Sequence, residues 1–128
     1  MITRRTAIQR FGPPVLLACG LLASCRMGAD IAIVPHGLKP KFVVTYDHGK
    51  RACVKGLTVT AVAAGQRKDV WAVRQGNGTP PCADRMTYGA TPAGYETVVP
   101  ARPLSPQGPY EVAAAGSGWG ETRPFRVP

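Results

Sequence analysis

Leu57-Thr58-Val59-Thr60-Ala61 alternates apolar and hydroxyl-bearing side chains, turns at Ala64-Gly65-Gln66, and gives way to Val70-Trp71-Ala72-Val73, which closes at Gly76-Asn77-Gly78. Alternation with period two marks a strand that has one face in a core and one in water. The apolar run that follows the turn reads as another strand. Working outward, the same grammar recurs on both sides. Phe42, Val44 and Tyr46 alternate with Val43 and Thr45 before Asp47-His48-Gly49. Met86-Thr87-Tyr88 ends at Gly89, Tyr95 to Val99 stops at Pro100, and Tyr110 to Ala114 runs into Gly116-Ser117-Gly118. Thr122 to Val127 closes the chain, with Phe125 and Val127 on one face and Arg126 on the other. Seven short strands with turn signals between them, and no stretch of amphipathic helix, predict an all-β domain over residues 41–128. A small β-sandwich of immunoglobulin type is the expected architecture, with a five- or six-stranded barrel as the rival.

The N-terminal 25 residues have a different character. Arg4, Arg5 and Arg10 precede an apolar run from Phe11 to Ser24, interrupted by Gly12, Pro13, Pro14 and Gly20. That run is shorter than the roughly 20 apolar residues a permanent membrane helix requires, and Pro13-Pro14 disfavours a buried core helix. A basic start, an apolar middle and a small-residue end form the pattern of an export signal. Leu22-Ala23-Ser24-Cys25 then resembles the lipobox of bacterial lipoproteins, in which cleavage precedes a cysteine that carries the lipid. The resemblance implies a signal peptide over 1–24, a lipid on Cys25 and a membrane anchor. Leu16-Leu17-Ala18-Cys19 is a poorer match, because Leu17 is bulky and the cut would halve the apolar run. Thr3-Arg4-Arg5 resembles the start of a twin-arginine signal only in part. Arg26 stands where the resemblance would place Asp for inner-membrane retention, which favours the outer membrane, facing the periplasm. Residues 25–40 are expected to be anchor and tether, with Ile31, Ile33 and Val34 available for a short edge strand interrupted by Pro35 and Pro40.

This assignment sorts the cysteines. With Cys19 removed and Cys25 lipidated, Cys53 and Cys82 remain as an even pair in an oxidising compartment, so a disulfide is expected. The loop it closes would stabilise the fold by about 3.5 kcal/mol in the chain-entropy account. Loss of residues 1–24 also leaves 13 basic and 7 acidic residues, a net charge of +6 against +9 for the whole chain.

Leu104-Ser105-Pro106-Gln107-Gly108-Pro109-Tyr110 resembles the segment before the sixth strand of fibronectin type III domains. The resemblance spans about 25 residues with the hairpin that follows, and it implies a tyrosine corner, in which the Tyr110 hydroxyl bonds upstream backbone. Cys53 and Cys82 do not match the inter-sheet disulfide of immunoglobulin domains, since Cys82 precedes the fifth strand.

No catalytic constellation is legible. His36 and His48 each precede a glycine and are too few for a zinc site. Ser117 lacks the flanking glycines of a nucleophile elbow, since Ala115 and Trp119 occupy those places. The seven carboxylates are scattered, and Asn77-Gly78-Thr79 reads as a turn rather than a glycosylation sequon. No metal, no cofactor and no enzymatic activity are expected. Candidate binding residues are Trp119, in a glycine-rich loop where its ring either binds a partner or folds back on the core, and the basic residues Lys50, Arg51, Lys55, Arg67 and Lys68. Such cations would suit anionic lipid head groups, acidic glycans or an envelope protein; export makes nucleic acid an unsuitable partner. The expectation is a membrane-anchored envelope lipoprotein serving as a non-catalytic binding or accessory module. The alternatives are an inhibitor of a hydrolase such as lysozyme, although the Ser-Gly-x-x-Tyr of one inhibitor group is absent, and an envelope-assembly component.

Overall fold

The computed structural model describes residues 28–77 and 82–128. The expected signal segment 1–24, the lipid site Cys25, Arg26, and Gly78-Thr79 of the sequon lie outside the described residues. Within them, all regular structure is strand: β1 Asp30–Val34, β2 Lys41–Tyr46, β3 Lys50–Arg51, β4 Gly56–Ala63, β5 Gln66–Gln75, β6 Arg85–Thr87, β7 Tyr95–Val99, β8 Tyr110–Gly116 and β9 Trp119–Phe125. They form two antiparallel sheets. In one, β2 lies between β1 on one edge and β3 and β6 on the other; the second runs β7-β5-β4-β8-β9. The chain is a small β-sandwich.

Alternation places the core. Phe42 and Val44 of β2 face Leu57 and Val59 of β4 and Tyr110, Val112 and Ala114 of β8, all of them buried. Phe125 packs edge-on against Phe42 with ring centroids 5.4 Å apart and stacks on Tyr110 at 5.6 Å. The continuous burial of Val70 to Val73 has a local cause. In the β4–β5 register Val59 pairs with Trp71 and Thr60 with Asp69, so Val70 is an extra residue, a β-bulge. The bulge resets the alternation, and Trp71 packs against the Tyr88 ring at 5.2 Å.

The turns form where the sequence signals them. Ala64 and Gly65 both have positive φ, as a two-residue hairpin linking Ala63 to Gln66 requires. Asp47, His48 and Gly49 all adopt the left-handed region between Tyr46 and Lys50, which short polar residues tolerate better than most. The tyrosine corner is present: the Tyr110 hydroxyl accepts the Ser105 N–H at 2.7 Å, and Leu104 is buried beside it.

Two features depart from the reading of the sequence. Among the described residues the sandwich has nine strands: the seven expected over 41–128, the edge strand that Ile31, Ile33 and Val34 made available, and β3. The additions are β1, paired with β2 along its whole length through Ile31↔Val44 and Ile33↔Phe42, and β3, whose two residues are both exposed and too few to show a period. The stretch 30–34 is therefore part of the fold rather than tether, because Ile31 fills the core. Only residues 26–29 separate Cys25 from the first strand.

A disulfide joins Cys53 to Cys82, 29 positions apart. It links the β3–β4 and β5–β6 connections at one end of the sandwich rather than crossing the core. Beside it the Tyr95 hydroxyl accepts the Ala83 N–H at 2.9 Å and donates to the Val54 carbonyl, while the Val54 N–H reaches the Ala83 carbonyl at 3.1 Å. The residues next to both cysteines are thus tied together twice.

Candidate functional site

The end of the sandwich that holds the disulfide also holds Trp119, Lys50, Arg51 and Lys55. Trp119 opens β9 opposite Gly116, and its ring lies 6.4 Å from that of Tyr46, partly buried against the core. A Cβ on Gly116 would collide with the indole and come within 2.6 Å of the Cys53 carbonyl oxygen. The ring therefore folds back to cover the end of the sandwich; only glycine at 116 leaves it the space.

The basic candidates at this end are held by carboxylates. Lys50 pairs with Asp47 at 3.4 Å. Arg51 donates through Nε and an Nη to both oxygens of Asp84, each at 3.3 Å, and Arg85 reaches the same carboxylate at 3.5 Å. Burial pushes the Asp84 carboxyl toward protonation, but the hydrogen bonds and charges of the two guanidiniums outweigh it and hold the group below the ordinary carboxylate range. Lys55 is exposed, anchored by its backbone to Ala115 and Gln75. Arg67 and Lys68 are not at this end. They pair with Val62 and Ala61 at the far end of β4, where Arg67 meets Glu111 at 2.6 Å. That hydrogen bond, reinforced by charge attraction, lowers the Glu111 carboxyl and raises the Arg67 guanidinium. The six candidates thus do not converge on one surface.

The opposite end of the sandwich is indented. Two clefts, of about 340 and 280 Å3, lie on either side of the segment 35–40 that links β1 to β2. The larger is lined by Leu38, Lys39, Tyr88, Arg102 and Leu104 among others, the smaller by Ile33, Pro40, Arg126 and Val127. Leu38 is 43% exposed, one of three large apolar side chains that face water among the described residues. The larger cleft has a rigid floor: the Tyr88 N–H donates to the Pro40 carbonyl at 2.9 Å, and its hydroxyl reaches the carbonyls of Arg102 at 2.6 Å and Val70 at 3.1 Å. Burial raises the Tyr88 phenol above its ordinary range, so the hydroxyl stays a donor.

No family model, curated protein or solved structure matches this chain. Its chemistry has to be argued from its own side chains. Among the described residues no three His, Cys, Asp or Glu side chains come together as a metal site would need. Asp30, Asp47, Asp84, Glu96 and Glu111 each face a cation in an ion pair, and Asp69 accepts the Thr60 hydroxyl at 3.0 Å. Leu38, Arg102 and Arg126 are absent from the residues singled out in the sequence. Leu38 and Arg102 lie in proline-broken segments without periodicity, Arg126 stands on the face of the last run opposite Phe125 and Val127, and only the pairing of β6 with β2 brings residues 38–41 beside 87–104.

Proposed function

We propose that the protein is a lipid-anchored lipoprotein of the bacterial cell envelope, held through Cys25 in the outer membrane facing the periplasm, and that its sandwich is a non-catalytic binding module. The observation that favours binding is the paired clefts at the end built from residues 35–41, 101–104 and 126–127, with Lys39, Arg102 and Arg126 along their walls. A surface of apolar lining with cationic rims recognises a ligand without transforming it. The ion pairs that occupy most of the carboxylates agree with this reading, since a carboxylate held charged between guanidiniums is poorly suited to proton transfer.

The anchor reading draws on Leu22-Ala23-Ser24-Cys25. Intact mass and peptide mapping of protein from the producing cell, with membrane fractionation, test it. The expected mature chain begins at Cys25 with attached acyl groups and sediments with outer membranes. An unmodified chain that begins at another residue refutes the anchor.

A further inference from the structure

The positive charge of this protein is unevenly compensated. Six of the described cations, Lys39, Lys41, Lys55, Lys68, Arg102 and Arg126, have no described carboxylate within 4.0 Å. Lys39, Lys41, Arg102 and Arg126 belong to the end that holds the two clefts, and Lys68 lies toward it near the start of β5. Lys55 alone is at the disulfide end. The Arg126 guanidinium donates to the Gln107 carbonyl at 2.6 Å, which holds its charge in place without neutralising it. Residues 34–41 and 100–109 contain no acidic side chain. The end distant from Asp30 therefore carries an excess of cations around an apolar interior; the carboxylates nearest it are Glu111, paired with Arg67, and Asp69, bonded to Thr60.

We propose that this surface docks an acidic protein segment that places an apolar side chain against Leu38 and Leu104 and its carboxylates on Lys39 and Arg102. Three observations select this occupant. The cleft lining is apolar and its rim cationic, which complements acidic residues that flank an apolar one. The Tyr and Phe rings at this end, Tyr88, Tyr110 and Phe125, are buried, so among the described residues it offers no exposed Tyr, Phe or Trp face for the stacking a sugar favours. The anchoring membrane is also badly placed to fill it. Asp30 pairs with Thr45 and Val34 with Lys41, so the chain enters at the end opposite the clefts. Cys25 to Asp30 spans at most about 18 Å fully extended, while β1 and β2 themselves run about 15 Å between the two ends. The cationic end would meet the anchoring membrane only with the domain inverted on a taut leash. This orientation rests on the anchor reading above, whereas the docking surface does not require it.

The test is fluorescence anisotropy of a labelled acidic decapeptide, eight Glu and two Leu, with the full protein purified in non-ionic detergent. The same preparation gives the N-terminal mass, so failure of the anchor and failure of the docking surface are read separately. The expected result is saturable binding that is weakened at least tenfold by Lys39→Glu with Arg102→Glu, two exposed positions, and changed less than twofold by Lys55→Glu. Leu38→Ser should abolish the preference for this peptide over one of glutamate alone. Equal binding by the doubly reversed protein, no binding at 1 mM peptide, or preference for polygalacturonate or phosphatidylglycerol vesicles over the peptide would each overturn the proposal.

Discussion

Replacing Tyr95 by Phe tests how the disulfide end is held together. The substitution keeps the buried ring and removes one hydroxyl, which accepts the Ala83 N–H and donates to the Val54 carbonyl. Val54 is fully buried, so water is poorly placed to replace that bond. A buried polar group left without its partner costs about 1–3 kcal/mol. The loss of two such bonds predicts a destabilisation of about 2–4 kcal/mol, a large part of the roughly 5–15 kcal/mol that separates folded from unfolded domains. Urea unfolding should show a lower midpoint with an unchanged slope, and the melting temperature should fall by about 10–25 °C, at the several degrees per kcal/mol typical of this size. The same two segments are joined covalently by Cys53–Cys82. Without that bond, Tyr95 must hold 53–54 against 82–83 with only the Val54–Ala83 backbone bond for support. A double-mutant cycle of Tyr95→Phe with Cys53→Ala and Cys82→Ala should therefore give a coupling of about 0.5–3 kcal/mol, the range seen for residues in one network. A Tyr95→Phe loss below about 0.5 kcal/mol, or strict additivity with the cysteine variant, would refute this account.

Tyr110→Phe leaves one partly buried N–H, that of Ser105, without its acceptor, and should cost about 1 kcal/mol in the same urea assay; an unchanged midpoint would show that the corner is held by ring packing alone. Gly116→Ala puts a Cβ into the indole and against the Cys53 carbonyl, so it should destabilise by about 1–3 kcal/mol and shift tryptophan emission to the red as the Trp119 ring is displaced, while Trp71 stays buried. Because the folded Asp84 carboxyl lies below its unfolded value, its contribution to stability is complete above the unfolded pKa of about 3.9 and is lost as pH falls from there through the folded value. Unfolding free energy measured between pH 5 and 2 should therefore decline less steeply in Asp84→Asn than in the parent, and equal slopes would remove Asp84 from the acid response.

Much of the sandwich is legible because its strands obey period two. Phe42/Val44, Leu57/Val59 and Tyr110/Val112 are buried where alternation places them, and the turns at 47–49, 64–65 and 117–118 form at their signals. Local rules fail where the cause is distant. The edge strand legible in Ile31, Ile33 and Val34 forms, but its register, Ile31 against Val44, is set by the distant β2. β3 exists only as the partner of Thr45 and Tyr46. The candidate cations are divided between the two ends for a related reason. The sequence shows Arg51 and Arg67 as free charges, but Arg51 is 33 residues from Asp84 and Arg67 is 44 from Glu111, and no local pattern links such partners. A count of charges fixes the surplus but not its address, because long-range pairing decides which cations are neutralised. In this fold the surplus falls mainly on Lys39, Lys41, Arg102 and Arg126 at one end, with Lys68 on β5 and Lys55 at the disulfide end; Lys39, Arg102 and Arg126 lie outside the strands, while Lys41 opens β2. The acid-free, proline-broken connections 35–40 and 100–109 leave Lys39 and Arg102 unpaired, whereas most of the described strand cations, Lys50, Arg51, Arg67, Arg74, Arg85 and Arg123, meet a carboxylate supplied by the fold.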